Sequence, residues 1–181
     1  KQIQNGIVPE GYKKTKVAII PEEWNVRRVK DFVCLLNDKH NPEKSGEFFP
    51  CIELEHTESD TRMLTGITDT KTVKSLKNKF KEKNILYGKL RPYLRKYYFA
   101  KFNGVCSTEI WVLSPKNKNI DEKDLFYLVQ TEYFNYHANI STGSSMPRAD
   151  WNYVSLINFG LPSLYEQQRI ASILETWDRA I

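Results

Sequence analysis

Apolar and polar residues alternate at 157–161, with Ile157, Phe159 and Leu161 on one parity, Asn158 and Gly160 on the other, and Pro162 closing the run. This two-residue period predicts a half-buried strand. Ser163-Leu164-Tyr165-Glu166 then supplies the S-x-x-E pattern of a capping box, which opens a helix by satisfying its first free N–H groups. That helix carries Ile170, Ile173, Leu174, Trp177 and Ile181 on one stripe. The stripe runs to the final residue with no glycine or proline stop. This predicts a helix that continues further and lies against something outside the domain, Trp177 and Ile181 above all. For Ile170 and Ile173 the alternative is packing on their own domain. Upstream, acidic Asp121, Glu122 and Asp124 favour the positive end of a helix over 121–139. Val29, Phe32, Val33 and Leu36 have helical spacing, whereas 50–54, 85–87, 96–100 and 110–113 read as short strands rich in aromatic and β-branched residues. Proline ahead of acidic residues, as in Pro21-Glu22-Glu23-Trp24, predicts a short turn closing onto the indole. Residues 141–145, Ser-Thr-Gly-Ser-Ser, form a loop by composition.

The 181 residues are 40% apolar and 27% charged, the composition of a folded domain with a sizeable core. The longest apolar runs, at 32–36 and 125–129, fall far short of the roughly 20 residues a membrane helix requires. Residues 1–9 lack the apolar stretch of a secretory signal. Cys34, Cys51 and Cys106 form no C-x-x-C pair, so a reduced, cytoplasmic setting is expected.

Charge is unevenly placed. The net charge is +5, yet residues 71–105 hold 11 basic residues and 1 acidic one. Such local excess points to a polyanion partner, because charge serving solubility alone is interspersed. The plainer alternative is a solvated lysine face. Within the stretch, Lys89, Arg91, Arg95 and Lys96 are interleaved with Tyr93, Tyr97 and Tyr98, and Pro92 restrains the backbone and disfavours helix at Arg91. Arginine forks onto guanine or phosphate and lysine neutralises phosphate. The competing reading has Tyr93 and Leu94 in the core and Arg95 paired with a surface carboxylate. Lys71, Lys74, Lys77, Lys79, Lys81 and Lys83 suit backbone grips rather than base readers. Ser144, Ser145 and Arg148 bring small hydroxyls and a guanidinium to one loop, with Pro147 limiting its freedom.

Enzymatic readings find less support. No Pro-Pro occurs and no two glycines lie two apart, as methyltransferase motifs require. Tyr12 stands where the P-loop spacing of Gly6 and Gly11 demands lysine. Cys34, His40, Cys51 and His56 match no compact zinc spacing. The competing enzyme class is a metal-dependent nuclease using the Asp69-Thr70-Lys71 triplet, with Glu53, Glu55 and Glu58 upstream. A third class is a module that binds acidic proteins through the basic stretch.

Five segments together carry a family resemblance: Pro21-Glu22-Glu23-Trp24, the run at 85–96, Ser107-Thr108-Glu109-Ile110-Trp111-Val112-Leu113, Gly143-Ser144-Ser145-Met146-Pro147-Arg148, and Leu161-Pro162-Ser163-Leu164-Tyr165-Glu166-Gln167-Gln168-Arg169-Ile170. The last is the most specific. The chain resembles, over essentially its whole length, a target-recognition domain of the DNA specificity subunit of type I restriction-modification systems. In that family two such domains alternate with helical spacers, and each reads half of a split duplex target. The resemblance implies no catalytic residue, metal or cofactor in this chain. S-adenosylmethionine, ATP and Mg²⁺ are used by the methyltransferase and restriction subunits that it positions. It also implies residues 1–162 as the recognition domain and 163–181 as the first turns of a spacer. The chain is then either a fragment or a half-length subunit that pairs with itself.

The fold expected is α+β: a twisted, mixed or mostly antiparallel sheet with peripheral helices and a protruding C-terminal helix. Arg91, Arg95 and Arg148 are the expected base or groove contacts, Lys89, Lys96, Ser144 and Ser145 the expected phosphate contacts, and Tyr93 is a further expected DNA-binding residue. Ile170, Leu174, Trp177 and Ile181 are expected to pack on a second helix.

Overall fold

The computed structural model of the chain describes residues 8–140 and 146–180. A first ribbon pairs Tyr12–Lys14 (β1) with Ile19–Pro21 (β2), and Asn25–Arg28 (β3) leads into the single turn Val29–Phe32 (α1). Then follow Val33–Leu36 (β4), Lys39–His40 (β5), the turn Pro42–Ser45 (α2), Pro50–Ile52 (β6), Thr68–Asp69 (β7), Lys77–Phe80 (β8), Ile85–Gly88 (β9), Tyr97–Phe99 (β10), Gly104–Ser107 (β11) and Ile110–Pro115 (β12). The helices Glu122–Leu128 (α3), Glu132–Ile140 (α4) and Trp151–Val154 (α5) precede Asn158–Leu161 (β13) and the long Leu164–Ala180 (α6).

Two sheets stack beneath a helical layer. Antiparallel β10-β9-β12-β4 forms the central sheet, and mixed β5-β8-β11-β6-β7 lies on one side of it, with β11 and β6 parallel. From the central sheet, Ile85, Tyr87, Tyr97, Trp111 and Leu113 pack with Leu125, Val129, Phe134 and Ala138 of the helices. The alternate residues Leu86, Tyr98 and Val112 pack with Ile52, Phe80 and Cys106 of the second sheet. Strand β9 is therefore buried on both faces, so it reads as a continuous apolar run rather than an alternating one. The tyrosine in that run has a polar end to satisfy: Tyr87 Oη donates to Asn135 Oδ1 at 3.0 Å. Only glycine fits at 104, because a Cβ there would sit 2.6 Å from the Pro50 carbonyl oxygen and 2.9 Å from the Phe80 ring.

Two expectations need correction. The helical spacing of Val29 to Leu36 holds for one turn only. Val33 to Leu36 instead form an edge strand, paired with Val112 to Pro115, where a neighbouring strand offers bonds that outweigh local periodicity. The helix expected over 121–139 is two helices. Asp121 caps the first through the N–H groups of Lys123 and Asp124 (2.9 and 3.0 Å). Thr131 Oγ1 then donates to Leu128 O at 2.7 Å and accepts the Phe134 N–H at 3.2 Å, closing one helix while opening the next.

The segment 158–161 is a strand with Phe159 and Leu161 buried, paired to β3. Ser163 Oγ accepts the Glu166 N–H at 3.3 Å, and the Glu166 carboxylate accepts the Trp24 indole N–H at 3.0 Å. The proline-acidic-indole motif and the helix-opening run are thus parts of one junction. Beyond it, α6 lies along α3, fastened by Lys123–Glu175 and Arg62–Asp178 (each 2.7 Å) and by Tyr127 Oη donating to Asp178 at 2.7 Å. Gln167 and Ala171 are its buried residues. About a third of a turn round the helix from them, Ile173 and Trp177 are 55% and 67% exposed. Among the described residues no helix is long and apolar enough to cross a membrane.

Candidate nucleic-acid interface

The Lys89–Arg91 part of the basic run and the segment carrying Arg148 meet. Lys89 N–H donates to Glu109 O (2.9 Å), Ala149 N–H to Lys89 O (2.9 Å), and Arg91 N–H to Pro147 O (2.7 Å), with Leu90 bridged to Arg148. Residues far apart in sequence thereby form one short ladder at the end of β9, and Glu109 is its third member. Ser144, Ser145 and the rest of 141–145 lie outside the described residues; Met146 leads directly into the ladder.

Past this ladder the backbone is bent sharply. Arg91 and Arg95 both adopt left-handed conformations (φ 51° and 49°) around a 3₁₀ turn at Pro92–Leu94. Non-glycine residues held there cost roughly 1 kcal/mol or more each, so the surrounding bonds must fix them. Pro92 is buried, Arg91 is exposed, and Tyr93 is 55% exposed. Tyr97 and Tyr98 are core residues and belong to opposite faces of the central sheet. Burial, chiefly, raises the Tyr97 phenol to about 12. Of the three interleaved tyrosines, Tyr93 alone is available to a ligand.

The cations differ in their engagements. Arg95 Nη1 and Nη2 each donate to one oxygen of Glu132 at 2.6 Å, with Asp60 at 4.0 Å. Those bonds hold Glu132 below the usual carboxylate range. Lys96 Nζ donates to Leu54 O at 2.9 Å. Arg148 forks onto Glu109, with Nε to Oε2 at 2.9 Å and Nη2 to Oε1 at 3.0 Å. Lys89 is half-buried and Arg91 lies open.

The upstream lysines do not act as a set. Lys77 is 3% exposed, with its ammonium 2.5 Å from Glu53 and 2.8 Å from Ser75 Oγ, so it cannot grip a backbone as expected. Lys71 and Lys79 lie over the rings of Phe48 and Phe49. Lys81 and Lys83 sit in the turn before β9, whose four residues, about 13 Å of strand, separate them from Lys89. The basic stretch is therefore divided between the two ends of a strand, not gathered on one flank.

Asp69 Oδ1 accepts the Lys71 N–H at 2.6 Å in a tight turn, and Glu53 is held by Lys77. The triplet is thus used in turn formation. Sequence reasoning missed Glu109, Glu132 and Asp60, the carboxylates facing the arginines. On α6, Ile170 is half-buried and lines a groove of about 240 Å³ with Trp24, Tyr127, Leu161 and Leu174. Leu174 is 37% exposed. Ile181 lies outside the described residues.

Comparison with known proteins bears on the family and the fold. A family model described as "Type I restriction modification DNA specificity domain" matches residues 21–181. The chain is 28% identical over 170 residues to the specificity subunit of the type I restriction enzyme EcoDI from Escherichia coli, covering 91% of this chain and 37% of that protein. It is 28% identical over 193 residues to the putative MjaX specificity subunit of Methanocaldococcus jannaschii, covering 95% and 43%. The chain thus spans about two-fifths of the length of these curated relatives. Among solved structures, the HsdS subunit of Thermoanaerobacter tengcongensis matches with a TM-score of 0.76 at 21% identity, over 87% of this chain and 43% of that one. A chain from a type I R-M assembly matches with a TM-score of 0.77 at 21% identity, over 89% and 43%. These likenesses identify the fold.

Proposed function

The chain belongs to the type I restriction-modification DNA specificity family, and on that premise we propose that it binds one half of a split duplex target in a sequence-dependent way and performs no catalysis itself. The observation that carries this reading is the ladder joining residues 89–91 to 147–149. It joins the backbones that carry Lys89, Arg91 and Arg148 into one restrained segment, with Leu90 and Arg148 directly opposed. Lysine neutralises phosphate and arginine reads base edges, so such a cluster supplies both register and sequence discrimination. Lys96 and Arg95 already bond to Leu54 O and Glu132 and brace the turn behind it.

Residues 1–162 form the recognition unit and 163–181 the start of a spacer. The exposed stripe of Ile173, Leu174 and Trp177 meets a second helix, from another recognition domain or a second copy. Methyltransferase and restriction subunits complete the assembly and hold S-adenosylmethionine, ATP and Mg²⁺. The three free cysteines suit a reducing, cytoplasmic setting.

Selection of bound duplexes from a randomised pool, with the chain assembled with methyltransferase subunits, tests the reading. Enrichment of a short motif is the expected result. A pool that stays random would refute sequence recognition, and Mg²⁺-dependent plasmid cleavage abolished by Asp69→Ala would refute the absence of catalysis.

A further inference from the structure

Arg148 and Arg95 are both held by carboxylates, but by different edges of the guanidinium. Five N–H groups lie in one plane: Nε–H and one N–H of Nη2 form a side edge, and one N–H from each Nη forms the outer end. Glu132 occupies the outer end of Arg95, taking Nη1 and Nη2 at 2.6 Å each. Glu109 occupies the side edge of Arg148, through Nε and Nη2. The outer end of Arg148 therefore keeps its parallel pair of donors. Nη1 also approaches Met146 O at 3.4 Å, which requires one of its two N–H groups.

From this geometry we infer that Glu109 is a positioning residue that locks Arg148 to read a guanine. The inference rests on the DNA-recognition reading above. The outer fork matches guanine O6 and N7 in the major groove. It also matches two phosphate oxygens, but the Glu109 side chain is 28% exposed beside it, and a carboxylate next to a phosphate is repelled. Beside a base edge the same carboxylate is tolerated, and it accepts from a neighbouring cytosine or adenine amino group. Glu109 is fixed in turn by its backbone, whose carbonyl accepts the Lys89 N–H. Arg148 is thus aimed from the ladder through two successive constraints, and little ordering remains to be done on binding.

The test is duplex selection with wild type, Arg148→Lys, Glu109→Gln and the double variant, each checked by thermal melting. Wild type should enrich a guanine at one position. Arg148→Lys should lose that preference alone, Glu109→Gln should weaken it at the same position, and the double variant should be no worse than Arg148→Lys. Replacing that guanine by 7-deazaguanine, which lacks the N7 acceptor, should weaken wild type about 10-fold and leave Arg148→Lys unchanged. Two outcomes overturn the inference while leaving sequence recognition standing. One is Glu109→Gln raising affinity for all duplexes equally, the mark of a merely repulsive neighbour. The other is Arg148→Lys weakening all duplexes equally, the mark of a phosphate grip. No enrichment by wild type would instead refute the parent reading.

Discussion

Gln167 Oε1 accepts the backbone N–H of Asp121 at 2.9 Å, while Nε2 donates to Asn119 O and Pro162 O at 3.2 and 3.1 Å. Gln167 is 1% exposed, so a single side chain ties the start of α6 to the approach of α3 and the end of β13. Gln167→Leu would leave an N–H and two carbonyls without these partners at a part-buried junction. A loss of about 2–4 kcal/mol in denaturant unfolding is expected. A loss below about 1 kcal/mol would show that water replaces the clamp.

Lys77 and Lys89 belong to one basic run yet should respond oppositely to alanine. Lys77→Ala removes the partner of half-buried Glu53 and should cost about 3 kcal/mol of stability with the salt dependence of DNA binding unchanged. Lys89→Ala should leave stability within about 0.5 kcal/mol and reduce the log–log salt slope by about 1. Titrations across salt concentrations, paired with melts, distinguish the two.

Asp124 is 8% exposed. Burial, chiefly, with help from the Asp121 and Glu166 carboxylates, raises its carboxyl from 3.8 to about 7. The folded chain therefore holds a proton that the unfolded chain releases. The associated stability is full below about pH 4 and is lost as pH rises through 7, on the order of 2–4 kcal/mol in all. Asp124→Asn should flatten urea stability between pH 5 and 8 and exceed wild type at pH 8. An unchanged pH slope in the variant would assign the effect to another group.

On α6, Ile173→Glu with Trp177→Glu should leave domain stability within about 1 kcal/mol, because both side chains are mostly exposed. Association through the helix should be abolished, as read by sedimentation. A large loss of domain stability would mean that the stripe packs on its own domain.

Legibility in the sequence followed the range of the forces involved. The strand at 158–161, the Asp121 cap and the Ser163 helix start were readable because each depends on a few adjacent residues. Val33 to Leu36 were misread because a strand partner nearly eighty residues away decides their state. The break at Thr131 was hidden because one hydroxyl serves two helices at once. At the candidate site, the cations at 89–91 and Arg148 were legible as chemistry, but the pairing of their backbones is long-range and leaves no local signal. Lys77 shows the limit of charge counting: a lysine among ten other cations is buried by a single glutamate. Glu109 was passed over because a lone acid carries no pattern, and its consequence lies in the edge of Arg148 that it leaves open.

The fastening of α6 also sets how the helix answers to its solvent. Its inner half is held by a buried amide and alanine, its outer half by ion pairs to Lys123 and Arg62 with side chains 30–47% exposed at Lys123, Arg62 and Asp178. Mobile ions weaken the second kind of hold and spare the first. Added salt therefore weakens the hold on the outer turns and leaves the root of the helix seated.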